Sequence, residues 1–107
     1  MQVKLAKDSE VPDEGLVVKS HGDKNILLTK VEGRVYALDD VCTHQGAPLH
    51  EGQLGGPDGD DPFLVTCPWH QAHFDLRTGQ VHQECPWATD TQAYPVEVRD
   101  GEVYVEL

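Results

Sequence analysis

The sequence predicts an all-β fold: an antiparallel β sandwich or barrel base that carries a small loop-rich subdomain in its middle. Three observations predict it. Two segments are strand-like runs folded about tight-turn dipeptides, and no stretch spaces its apolar residues at a helical period. Ten glycines and seven prolines in 107 residues also punctuate the chain too often for long helices.

Taken in order, residues 3–6 can form a short strand, broken by Pro12 and Gly15. Leu16, Val17 and Val18 make a second apolar run, ended by the turn cluster Ser20, His21, Gly22 and Asp23. Residues 25–31 and 34–39 read as two strands joined at Glu32-Gly33, a hairpin. The clearest signal is at the far end. Val96 and Val98 alternate with Glu97 and Arg99, Asp100-Gly101 follows, and Val103, Val105 and Leu107 alternate with Tyr104 and Glu106. Period-two alternation about Asp-Gly is a strong hairpin signature.

Between these hairpins, residues 41–91 differ in kind. All three cysteines and both tryptophans lie there, and the strand-like pieces are brief (63–66, 73–76, 80–82). The expectation is one domain, 1–107, whose β scaffold holds a loop-built cofactor insert at about 41–91.

Nineteen acidic residues against eight basic ones give a formal charge of −11. Such a surface repels phosphate backbones and anionic lipid, which argues against a nucleic-acid or membrane partner. A protein partner with a basic patch would instead be drawn in. No apolar run reaches the length of a membrane span, and residues 1–10 lack the apolar core of a signal peptide. An odd number of cysteines does not suit a secreted disulfide framework. A cytoplasmic location, where thiolates remain free for metal, is the expectation.

The insert contains Cys42-Thr43-His44 and, with 22 residues between, Cys67-Pro68-Trp69-His70. Each pair offers one sulfur and one imidazole from a loop stiffened by Gly46, Pro48, Gly52 or Pro68. Stiff loops lower the ordering cost of building a site. Buried cysteines and solvated histidines are ordinary singly, but two Cys/His pairs in one short chain make coincidence a poor explanation. Two cysteines and two histidines would satisfy tetrahedral zinc, although zinc sites more often pair cysteines two residues apart. They would equally satisfy an iron–sulfur centre in which two histidines replace two cysteines on one iron.

The segments Cys42-Thr43-His44-Gln45-Gly46-Ala47-Pro48-Leu49 and Cys67-Pro68-Trp69-His70, the latter followed by Phe74-Asp75-Leu76-Arg77-Thr78-Gly79, resemble the two cluster loops of the Rieske family. The resemblance extends over nearly the whole chain. It implies one [2Fe–2S] cluster per chain, with Cys42 and Cys67 on the inner iron and His44 and His70 on the outer. Neutral imidazoles in place of two thiolates make the cluster less negative, which raises its potential into a range of roughly −150 to +300 mV. High-potential members carry a further cysteine in each loop, joined as a disulfide, and hydroxyl donors near the cluster. The matching positions here are Ala47 and Trp69, and Ala72 and Phe74. The resemblance is therefore to the low-potential ferredoxins of ring-hydroxylating dioxygenase systems.

Such a protein is a one-electron carrier, not an enzyme. It would pass electrons from a flavin-dependent reductase to a terminal oxygenase, as a cytoplasmic monomer. With Leu107 closely following the last hairpin, no space is left for an oxygen-activating domain. The runner-up is the small subunit of an assimilatory NAD(P)H-nitrite reductase, serving that enzyme's large subunit, because the Gly/Pro/Asp-rich stretch 55–62 resembles that group. A structural zinc module is the third reading. Cys85, in a segment like the family's proline-containing third loop, is expected to be an inert thiol. His73, His21 and His82 are expected at the surface, and His50 near the rim of the first loop.

Overall fold

The computed structural model describes residues 1–40, 48–55, 62–67, 72–81 and 90–107. Ten strands occur among them: β1 (Gln2–Lys7), β2 (Val17–His21), β3 (Lys24–Val31), β4 (Arg34–Asp39), β5 (Gln53–Leu54), β6 (Leu64–Thr66), β7 (His73–Asp75), β8 (Ala93–Tyr94), β9 (Val96–Arg99) and β10 (Glu102–Glu106). Two single 3₁₀ turns, Asp8–Glu10 and Leu49–Glu51, are the only helical pieces among the described residues. The all-β expectation holds, and every strand pair is antiparallel.

Both expected hairpins form, each for a local reason. Glu32 and Gly33 adopt φ of 54° and 80°, and Asp100 and Gly101 adopt 53° and 76°. Two consecutive left-handed residues make the turn whose twist matches that of its flanking strands. The β2–β3 connection is tighter than the sequence suggested. Ser20 and His21 belong to β2, leaving Gly22-Asp23 as the loop, and Gly22 has φ of 64°.

Three sheets result, ordered β1-β10-β9, β2-β3-β4-β8 and β5-β6-β7. Strand β3 explains how they stack. Its run Ile26-Leu27-Leu28-Thr29 is fully buried, so both of its faces are covered. Ile26 and Leu28 join Val35, Ala37, Val103 and Val105 in one core, against the sheet of the two chain ends. Leu27 and Leu38 join Leu49, Val65, Cys67, Ala72 and Phe74 in a second core, beneath β5-β6-β7. The four-stranded sheet is thus a central layer, and the described residues of the 41–91 segment pack onto its other face.

Two short strands escape a local reading. β5 has two residues and pairs with β6, and β8 has two and pairs with β4 at Ala37 and Leu38. The segment expected as a strand at 80–82 amounts, among its described residues, to one bridge from Val81 to Phe74.

Candidate metal centre

The second Cys/His motif sits where β6 and β7 turn back on each other. Cys67 is 1% exposed, and its N–H donates to the Ala72 carbonyl at 2.7 Å, closing the base of the connection 68–71. One step down the ladder, Thr66 stands opposite His73. The Thr66 hydroxyl donates to the Gly55 carbonyl (2.8 Å) and lies 2.8 Å from His73 Nδ1. With its one proton committed to Gly55, the hydroxyl accepts from Nδ1–H, which fixes the tautomer of His73. His73 is therefore a buried cross-strand partner, 8% exposed, and not the surface residue its sequence context suggested.

The first motif returns to the described chain at Pro48. Leu49 is fully buried, and the Gly52 N–H donates to its carbonyl at 2.9 Å. Gly52 then runs against β6, where a Cβ at this position would stand 1.8 Å from the Thr66 carbonyl oxygen. Its backbone φ of −84° needs no glycine; the requirement is purely steric. This close approach, continued by the Gln53–Thr66 pairing, brings the end of the first motif beside the start of the second. Two motifs separated by 22 residues can in this way serve one centre.

A third closure bounds the segment 82–89. Gly79 has φ of 79°, its carbonyl accepts the Thr91 N–H (2.8 Å), and a Cβ there would stand 2.3 Å from the Thr91 carbonyl oxygen. The Val81 N–H donates to Asp90 Oδ1 at 2.9 Å. Behind these, Asp75 receives the Arg77 guanidinium (3.0 and 2.8 Å) and the Arg77 N–H (2.8 Å). Those bonds, led by the guanidinium, hold the Asp75 carboxyl below its ordinary value against the opposing effect of burial.

Of the four candidate ligands, Cys67 is described; Cys42, His44 and His70 lie outside the described residues, as do Ala47, Trp69, His82, Cys85, Trp87 and the acidic stretch 58–61. Cys67 suits a thiolate ligand to an iron–sulfur group. It stands at a strand end in an apolar floor with Leu49, Ala72 and Phe74, which keeps water from a cluster and suits sulfur donors. Ala72 and Phe74 are fully buried there and bring no hydroxyl to that floor. Among the described residues no group of three or more His, Cys, Asp or Glu side chains is arranged to hold a metal ion, so no competing site stands there. Sequence reasoning missed Asp40, and it took Gly52 as a loop residue without its steric demand against Thr66.

Comparison with known proteins bears directly on this arrangement. Residues 1–95 match the Rieske [2Fe-2S] domain family. The chain is 40% identical over 99 residues to the ferredoxin subunit of 3-phenylpropionate/cinnamic acid dioxygenase from Photorhabdus laumondii, covering 92% of this chain and 87% of that one. It is 33% identical over 98 residues to the ferredoxin component of the naphthalene 1,2-dioxygenase/salicylate 5-hydroxylase systems of a Ralstonia species, covering 92% and 88%. Among solved structures, it matches a chain of the oxygenase–ferredoxin complex of carbazole 1,9a-dioxygenase with a TM-score of 0.82 and 30% identity, over 97% of this chain and 91% of that one. A protein described as an NADPH nitrite reductase small subunit shares the fold at a TM-score of 0.82, but at 22% identity, over 100% of this chain and 99% of that one. The named relatives are electron-carrying components, not catalytic subunits. With its buried Cys67 at the end of β6 and a family match over most of its length, this chain belongs to the Rieske [2Fe-2S] domain family, whose members carry one such cluster.

Proposed function

We propose that this protein is the ferredoxin component of a ring-hydroxylating dioxygenase system, accepting electrons singly from a flavin-dependent reductase and handing them to a terminal oxygenase. The observation that carries the reading is the likeness, over 92% of this chain, to a dioxygenase ferredoxin subunit, in a sequence that keeps both Cys/His pairs. Cys42 and Cys67 hold the inner iron and His44 and His70 the outer. The chain has three cysteines, one short of a four-thiolate set, which supports a mixed ligation completed by imidazole.

A bound [2Fe–2S] cluster supplies a one-electron couple. The chain does the rest. β5, β6 and β7 bring Gln53, Thr66 and His73, which flank the two Cys/His motifs, into one sheet, and Leu49, Ala72 and Phe74 form a dry floor beside Cys67. Ala72 and Phe74 offer no O–H to stabilise the reduced, more negative state, so the couple lies toward the lower end of the Rieske range. The −11 formal charge favours encounter with basic faces on both partners. The protein acts as a cytoplasmic monomer; among the described residues no helix is long and apolar enough to cross a membrane.

The test is a redox titration followed by reduction with NADH and a flavin-dependent ferredoxin reductase. Uptake of one electron per chain, lost in both His44→Ala and His70→Ala, is the expected result. A colourless protein holding stoichiometric zinc would refute the carrier reading. Reoxidation by a sirohaem nitrite reductase, but not by a terminal oxygenase, would favour the small-subunit role instead.

A further inference from the structure

β4 ends at Asp39 and a 3₁₀ turn begins at Leu49, so positions 40 and 50 flank the first Cys/His motif. One carboxylate spans the gap. The Asp40 N–H donates to the Asn25 carbonyl at 2.9 Å, seating the residue against the start of β3. Its side chain is 2% exposed. One carboxylate oxygen accepts the His50 backbone N–H at 2.6 Å, and the other faces His50 Nδ1 at 2.5 Å. Both oxygens are thus engaged by one residue ten positions further on. Lys24, the cation lining the same groove, is committed elsewhere: its ammonium lies 5.4 Å from the Tyr94 ring centroid and 3.5 Å from the Tyr94 hydroxyl.

We propose that Asp40 and His50 are a positioning pair for the cluster, a clasp that fixes the separation of positions 40 and 50, between which the sequence carries Cys42 and His44. The inference rests on the ligand assignment proposed above. Its physical basis is that a buried carboxylate must keep its hydrogen-bond partners, so the two loop ends are locked together and the loop cannot widen without exposing a costly unpaired group. Groups that orient metal ligands from behind typically change metal retention about 10- to 100-fold when removed. The clasp acts through geometry, since an asparagine at position 40 could still accept from the His50 N–H and donate to Nδ1.

The test compares Asp40→Ala, His50→Ala, Asp40→Asn and the double alanine variant of the cluster-loaded protein. The readouts are iron release to a chelator and the nitrogen hyperfine couplings of the reduced protein; circular dichroism checks folding. The clasp predicts release about 10- to 100-fold faster in each alanine variant, altered couplings, a double variant no worse than either single one, and Asp40→Asn close to wild type. Unchanged release and couplings in His50→Ala would overturn it, as would multiplicative effects in the double variant or an Asp40→Asn as impaired as alanine. If Asp40→Ala does not fold, His50→Ala and Asp40→Asn still decide, because the His50 side chain is 34% exposed. A wild-type protein without the reduced-state signal would instead refute the cluster reading itself, and the clasp with it, before any variant is compared.

Discussion

Strands β3 and β4 pair six residues on each side of a two-residue turn, whereas β5 and β6 pair two and β6 and β7 three. The base of the molecule is held by long ladders whose turns are written into adjacent residues. The layer over the second core is held by single closures, two of them between residues twelve or more apart, Gly52 against Thr66 and Gly79 against Thr91, and one local, Cys67 to Ala72. Cooperative units with few pairings open first. The base can therefore hold the fold while the outer layer depends on its closures and on the cluster, whose binding energy is also folding energy there.

The largest expected effects separate the two cores. Phe74 and Ile26 are both fully buried, but Phe74 shares its core with Cys67 and Ile26 faces the opposite sheet. Phe74→Ala and Ile26→Ala should each cost about 3–4 kcal/mol in thermal unfolding of the cluster-free protein. Visible absorption should divide them, since only Phe74→Ala opens a cavity beside Cys67, the proposed ligand, and should bleach the folded protein. Equal loss of colour in both at a temperature where both remain folded would erase the distinction.

Glycine substitutions sharpen it at smaller cost. Gly52→Ala drives a methyl into the Thr66 carbonyl, for which a loss of about 3 kcal/mol and poor cluster loading are expected. At Gly33 a methyl meets nothing within 4 Å, so Gly33→Ala incurs only the left-handed backbone penalty of about 1 kcal/mol and loads normally. Denaturant melts and iron content measure both.

The smallest effect carries a pH signature. Arg77→Ala removes a half-exposed ion pair, worth about 0.5 kcal/mol at neutral pH. Because Arg77 lowers the folded-state value of Asp75 from its ordinary 3.8, the pair's contribution is present above about pH 4. It is lost as pH falls through the lowered value. Stability curves of the two proteins should draw together in acid, down to what the guanidinium's contact with the Phe63 ring contributes, and a difference that does not shrink at all would contradict the pairing.

What could be read in the sequence follows the same division. The turns at Glu32-Gly33 and Asp100-Gly101 need left-handed residues, and glycine there is a local signal. β5 and β8 carry none, because two-residue strands exist only through partners far along the chain. His73 looked like a surface histidine since nothing nearby reveals that Thr66 will stand opposite it. The Cys/His spacing made the chemistry of the centre legible, but neither the steric demand at Gly52 nor the Asp40–His50 contact has a one-dimensional signature. Closures between distant residues are what pattern reading misses, and they are what assemble this site.

The most direct test of mixed ligation is pulsed EPR of the dithionite-reduced protein, with iron and sulfide analysis of the same sample. Two iron and two sulfide per chain, with hyperfine coupling to two imidazole nitrogens, is the predicted result for a Rieske cluster. A cluster signal without nitrogen coupling, or an EPR-silent protein holding zinc, would contradict it.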